Sequence, residues 1–181
     1  MRVVAGTAGG LRLVAPPNAR PTTDRVREAL FSALSNRVED VAVLDLYAGS
    51  GALAIEALSR GAAAAVLVDR DRAAVEACRR NLETTKLTDR ARVRSADVEV
   101  FLGAAPPPEA PFGLVFADPP YELGDAEVAD TLARLRTPGW LTPDASVVLE
   151  RAAGARPPEI GWDVGWERKY GDTLVVILHA T

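Results

Sequence analysis

Asp118-Pro119-Pro120-Tyr121 sets a carboxylate, two rigid residues and an aromatic ring side by side. The apolar run 112–117 ahead of it, Phe-Gly-Leu-Val-Phe-Ala, reads as a buried strand that ends where the carboxylate begins. Proline fixes φ and lacks an N–H, so this corner is stiff and presents acceptors, not donors. It suits a planar ring bearing an exocyclic amine: Asp118 and the Pro119 carbonyl accept from the NH2 group while Tyr121 stacks on the ring. A strand followed by a proline-rich loop with a chance aspartate would spell the same four letters, so the chemistry needs a second signal.

That signal lies upstream. Residues 41–46 form another apolar strand with Asp45 near its end, and Tyr47-Ala48-Gly49-Ser50-Gly51 then opens a helical stretch from Ala52. Glycines at 49 and 51 let the backbone turn tightly and approach a ligand without interference from Cβ. A third strand over 65–69 ends at Asp69, 24 residues after Asp45, where a carboxylate can accept from both hydroxyls of a ribose. The Gly-x-Gly-x-x-Ala spacing with a following acid also matches a dinucleotide site. Asp45 separates the two readings, because a carboxylate at the glycine turn repels a pyrophosphate but suits the ammonium and sulfonium of S-adenosylmethionine. Asp97, after the strand 92–95, adds an acid that could accept from an adenine N6 amine. It suits a helix N-cap before Val98 equally well.

These blocks resemble the class I S-adenosylmethionine-dependent methyltransferases, and more narrowly the bacterial small-subunit rRNA methyltransferase D family, which methylates a guanine N2 in 16S rRNA. The resemblance runs from Arg2 to Thr173 through Gly9-Gly10, the block 20–31 (Arg-Pro-Thr-Thr-Asp-Arg-Val-Arg-Glu-Ala-Leu-Phe), residues 44–51 and residues 118–121. The glycine loop and the Asp-Pro-Pro-Tyr corner speak for amino methyltransferases in general; the 20–31 block narrows the family. The resemblance implies S-adenosylmethionine as cofactor, contacted by Thr22, Asp45, Tyr47, Gly49, Ser50, Gly51, Asp69, Arg70, Asp97, Val98 and Asp118. It implies catalysis by Asp118, Pro119 and Tyr121 without a metal, on a base that has left its stack. Phe31 and Tyr47 could line the site, although buried aromatics more often serve a core. The expected partner is 16S rRNA in a partly or fully assembled small subunit. An adenine N6 acceptor in DNA or RNA stays open, as does a noncatalytic S-adenosylmethionine-dependent RNA-binding assembly factor, for which a damaged corner would be expected.

The net charge of -4 is unevenly spread. Residues 1–37 hold six arginines against Asp24 and Glu28, a net of +4, leaving 15 positive and 23 negative side chains on the rest. That division predicts a basic N-terminal arm over 1–37 on an acidic catalytic body over 38–181, with Arg2, Arg12, Arg20, Arg25 and Arg27 as RNA contacts. A solvated basic segment of no special use would look the same. One cysteine, Cys78, rules out an intrachain disulfide, and one histidine, His179, removes the usual general base and zinc ligands. Cys78 sits in a stretch that reads as a packed helix face. No apolar run reaches the roughly 18 residues of a membrane span, and the chain is expected to be a cytoplasmic monomer.

To hold those residues, the elements must alternate. Helices are predicted over 52–60, 72–84, 98–103 and 125–136, with strands over 41–46, 65–69, 91–95, 112–117 and 145–150. This is the pattern of an α/β, Rossmann-like, mostly parallel seven-stranded sheet. Strands near 166–170 and 173–178, joined by Gly171-Asp172, predict a terminal antiparallel hairpin. Ahead of the sheet, a short β-hairpin from 2–4 and 11–14 leads to a helix from a cap at Asp24 to about Ser35.

Overall fold

The computed structural model describes residues 1–17, 22–155 and 161–180. Five strands run parallel: β1 (Ala42–Leu46), β2 (Ala64–Asp69), β3 (Ala91–Ser95), β4 (Phe112–Ala117) and β5 (Leu141–Ala152). β6 (Trp162–Tyr170) and β7 (Thr173–Ala180) complete the sheet as an antiparallel hairpin, in the order β3-β2-β1-β4-β5-β7-β6. Helix α1 (Asp24–Leu34) precedes the sheet in the chain, and α2 (Ala52–Ser59), α3 (Arg72–Thr85), α4 (Val98–Leu102) and α5 (Asp125–Leu135) lie between its strands. The strand order reverses between β1 and β4, and open α/β sheets form their ligand crevice at the carboxyl ends of such a pair.

The two-residue alternation of strand side chains divides the core into two layers. Val43, Ala65, Leu67, Leu114 and Phe116 pack with Leu30 and Phe31 of α1, Ile55 and Leu58 of α2 and Cys78 of α3. Leu44, Val66, Val68, Val115 and Ala117 face the opposite way, onto Val98 and Leu102 of α4 and Val128 and Leu132 of α5. Trp140 seals that second layer, its ring 5.4 Å from Phe101 and 6.4 Å from Phe112. Phe31 belongs to the first layer, 5.8 Å from Phe116, and does not reach the crevice.

The N-terminal segment is docked on α2 by buried polar groups. Glu56 has no solvent exposure; its two carboxylate oxygens accept from the backbone N–H groups of Val4 (2.7 Å) and Ala5 (3.0 Å) and from Arg60. Ser59 donates to the Ala5 carbonyl and accepts from the Ala8 N–H. Gly6 is held at φ +83°, and a Cβ there would come 1.9 Å from the Ser59 carbonyl oxygen, so the close approach requires glycine. Val3, Ala8 and Leu13 enter the first core layer.

Several expectations change in detail. The opening hairpin is reduced to one antiparallel bridge, Arg2 with Arg12, flanked by bonds such as Val3 N–H to the Leu11 carbonyl. Thr23, not Asp24, caps α1 by accepting from the Val26 N–H; Asp24 is the first helical residue. β5 begins at Leu141, because a register shift against β4 accommodates Pro143 where a regular ladder would reject it. β6 begins at Trp162; as an edge strand with mostly exposed side chains and an irregularity around Gly165, it lacks the alternation that marks strands in a sequence.

Candidate active site

The carboxyl edge of the sheet is a row of polar side chains at its switch point. Leu46 of β1 pairs with Val68 of β2 and Ala117 of β4, and Ala117 pairs with Leu149 of β5. One step beyond each strand pair therefore come Asp69, Tyr47, Asp118 and Glu150, on four adjacent strands. Glu150 is the member that sequence reasoning missed. It lies inside a strand that reads as ordinary core, and only its register with Asp118 gives it away.

The glycine turn lies over this row. Gly51 adopts φ +73° and serves as the cap residue of α2, with no side chain to bond the first helical turn. Asp45 does so from the neighbouring strand: its Oδ2 accepts from the Ala54 N–H at 3.2 Å. The carboxylate is only 3% exposed. Burial pushes its pKa well above the usual carboxylate range against the pull of the Ala54 N–H, and the Asp118 and Asp69 carboxylates push it further. The helix end is thus already partnered by an acid and is a poor seat for a phosphate. Asp69 holds the turn from the other side, its oxygens accepting from the backbone N–H groups of Gly49 and Asp71, both at 2.9 Å. Asn81 of α3 donates to the Ser50 carbonyl and bonds both backbone groups of Val14, tying the turn to the N-terminal segment.

Three cavities meet along this edge. The first, of about 470 Å³, is lined by Tyr47, Asp69, Arg70, Asp97, Val98 and Asp118, with Pro120 at the corner. The second, of about 180 Å³, is lined by Asp45, Tyr47, Gly49, Ser50, Thr22 and Asp118. Asp118 and Tyr47 are common to both. The third, of about 610 Å³, lies on the far side of the corner and contains Tyr121, Glu150, Tyr170 and again Thr22. Asp97 caps α4 through the Glu99 and Val100 N–H groups, as one of its two expected readings has it, and it also lines the first cavity, where it pairs with Arg70 at 3.4 Å.

Burial raises Asp118 to about 6. Burial and then the Asp118 charge raise Glu150 to about 7, against a hydrogen bond from the Thr22 hydroxyl to its Oε2 at 3.4 Å. Two neighbouring carboxyls that resist ionisation together form a proton-holding pair at near-neutral pH. Tyr121 is 51% exposed, its hydroxyl 3.0 Å from that of Thr173, and its ring borders the third cavity. Pro119 is buried behind it.

The basic arm is less uniform than its sequence. Arg2 is 66% exposed and Arg12 and Arg25 are exposed, Arg25 at the rim of the third cavity. Arg20 lies outside the described residues. Arg27 overturns its expectation as an RNA contact: it has no exposure and donates to Asp24 (2.6 Å) and to the Arg2 carbonyl (2.5 Å). The physical reason is helical phase, since Arg27 shares the inward face of α1 with Leu30, Phe31 and Leu34. Cys78 is buried, as expected; burial pushes its thiol far above the ordinary value and leaves it inert as a nucleophile.

A parallel sheet with its crevice between β1 and β4, a glycine turn after β1, an acid at the end of β2 and a terminal antiparallel hairpin define a class I, Rossmann-like methyltransferase fold. The solved structure of yhhF from Escherichia coli agrees, with a TM-score of 0.86 and 37% identity over 99% of this chain and 97% of that one. A hypothetical protein of Thermus thermophilus follows at 0.82 and 33% identity, covering 99% of both chains. Ribosomal RNA small subunit methyltransferase D of Escherichia coli (strain K12) is 38% identical over 175 residues, 94% of this chain and 85% of that one. Residues 1–179 match the family described as Conserved hypothetical protein 95, and the chain belongs to that family.

Proposed function

We propose that this protein transfers a methyl group from S-adenosylmethionine to the exocyclic N2 of a guanine in 16S rRNA. The observation that carries the proposal is the position of the Asp118 corner, with two cavities on its glycine-turn side and a third, larger one beyond it. The donor set fits the cofactor. The first two cavities are rich in carboxylates and have their helix terminus already occupied, so they favour a ligand with hydroxyls and positive charge over one with phosphates. Asp69 has lone pairs left for a ribose, Asp97 for an adenine amine, and Asp45 meets a cationic methionine end. When bound, the cofactor supplies a methyl group activated by a positively charged sulfur.

The chain's own groups do the rest. A nucleobase amine is a weak nucleophile because its lone pair is delocalised into the ring. Asp118 and the Pro119 carbonyl would accept its two N–H groups and turn the lone pair away from the ring plane. Asp118, with its raised pKa, is suited to take up the proton that the methylated amine sheds. Tyr121 would replace the stacking that the base loses on leaving its helix. Arg2, Arg12 and Arg25 would contact phosphate, making residues 1–37 an RNA-facing extension of the catalytic body 38–181. The Escherichia coli relative named as a small-subunit rRNA methyltransferase, aligned over most of this chain, favours rRNA as the acceptor.

Mass spectrometry of nucleosides from small-subunit rRNA tests the reading. A strain lacking the protein should lose one N2-methylguanosine, restored by the parent gene but not by Asp118→Ala. An unchanged nucleoside profile would overturn it.

A further inference from the structure

We infer that Glu150 and Tyr170 read the Watson–Crick edge of the acceptor base in the third cavity, with Glu150 making the site selective for guanine over adenine. The inference rests on the proposed guanine acceptor and assigns its recognition to two residues. Both sit on the same face of the sheet. Glu150 pairs with Val175 of β7 and Tyr170 pairs with Thr173, two residues before Val175, so their side chains project to the α1 side. Both line the 610 Å³ cavity together with Thr22 and Tyr121.

Each residue has unused hydrogen-bonding capacity. The Tyr170 hydroxyl is buried and has no partner among the described residues. A buried hydroxyl without a partner is costly, and on a side chain that lines a cavity it is explained when a ligand completes it. Glu150 receives one long bond from Thr22, which leaves most of the acceptor sites of a carboxylate open. A half-buried carboxyl beside Asp118 contributes nothing to packing that an apolar side chain would not supply better.

The chemistry of the pair matches one base. Guanine offers two donors, N1–H and the N2 amine, beside the O6 acceptor. Above about pH 7, where Glu150 is ionised, its carboxylate accepts from N1–H, and a tyrosine hydroxyl donates to O6. Adenine presents an unprotonated N1, so the carboxylate would meet an acceptor; the Tyr170 hydroxyl can donate to O6 or accept from an N6 amine, so the discrimination falls on Glu150. Leaving buried polar groups unpaired in this way is the strongest available means of rejecting a near-isosteric substrate. Tyr121 forms an aromatic wall of the same cavity, and Arg25 and Lys169 stand at its rim where flanking phosphates would lie.

The test uses intact small subunits from a strain lacking the protein, with labelled S-adenosylmethionine. The nucleotide labelled by the parent protein is mapped, and matching subunits are prepared with adenine at that position. The parent should label the guanine subunits and leave the adenine ones nearly untouched. Glu150→Gln, whose amide can donate to adenine N1, should lower the guanine rate by about tenfold or more and reduce the guanine-to-adenine ratio at least as much. Tyr170→Phe should lower kcat/KM on guanine by about tenfold with unchanged cofactor affinity. A ratio in Glu150→Gln equal to the parent's overturns the inference while leaving guanine methylation standing. A parent protein that labels no guanine in the subunit overturns the proposed function itself.

Discussion

At the scale of single residues the site is a set of carboxyls held apart in environment. Asp118 is the member proposed to meet the amine, and its variants separate geometry from charge. Asp118→Ala leaves the glycine turn and Asp69 in place, so cofactor affinity measured by calorimetry should stay within a few-fold of the parent. Turnover should fall about a hundredfold or more, the scale of one lost preorganised hydrogen bond. Asp118→Asn keeps an acceptor oxygen without charge. Partial activity in that variant assigns the role to geometry, and activity as low as in the Ala variant assigns it to charge. Glu150 carries a stability consequence as well. Its folded pKa, near 7, lies above that of the unfolded chain, so the folded state holds a proton that the unfolded state releases between about pH 4 and 7. The carboxyl therefore costs nothing below that window and costs stability above it. Because the proton is shared with Asp118 and Glu150 is partly solvated, about 1–2 kcal/mol is a fair scale. Glu150→Gln should unfold at a higher temperature than the parent at pH 8 and at the same temperature at pH 4; equal melting temperatures at both pH values would show that the carboxyl is not strained.

At the scale of elements, the glycine turn is positioned by its neighbours more than by its own residues. Asp45 partners the first turn of α2, Asp69 holds Gly49, and Asn81 links Ser50 to the N-terminal segment. Gly51 is the point of least tolerance. Its φ is +73°, and a Cβ would sit 2.7 Å from Leu67 Cδ2 and 3.2 Å from Cys78 Sγ, both in the packed first layer. Gly51→Ala should cost about 2–3 kcal/mol from backbone conformation and overpacking together, lowering the melting temperature by roughly 5–10 °C. Cofactor affinity should fall in the same variant, because the turn cannot shift without moving Gly49. A variant with parental melting temperature and affinity would mean that the turn is more pliant than its contacts imply.

At the scale of the whole molecule, a basic extension lies on an acidic body, and the two share one core. Val3, Ala8 and Leu13 are buried with α2 and α3, so removing the first residues would expose that core and confuse unfolding with lost RNA binding. The informative change is charge alone. Replacing Arg2, Arg12 and Arg25 by glutamine should weaken binding to small-subunit rRNA and flatten the log-log salt dependence by about 0.7–0.9 for each phosphate contact removed. Arg27→Gln should leave the slope alone and lower stability, since it strips Asp24 of a buried partner. If the triple variant keeps the parental slope in a filter-binding titration, the basic arm serves structure only.

Local chemistry decided much of this protein in advance. Strands β1, β2 and β4 announce themselves as apolar runs that end in polar residues, and Asp45, Asp69 and Asp118 stand out because an acid at a buried strand end has few structural reasons to be there. The glycine turn is legible because positive φ narrows the choice of residue. Charge, by contrast, misled where burial mattered. Arg25 and Arg27 are two letters apart with identical chemistry, yet one faces solvent and the other the core, and only the docking of α1 on the sheet sets that phase. Glu150 was invisible for the complementary reason. Nothing near it in the chain marks it, and it becomes a site residue only when β4 and β5 pair in register and bring its carboxyl beside Asp118. Tyr170 likewise gains meaning from the edge hairpin, which sets it in the wall of the third cavity with its hydroxyl buried and unpartnered among the described residues. Covalent spacing specifies what a short segment can do, whereas contacts between distant strands, and the desolvation they impose, specify which groups act together.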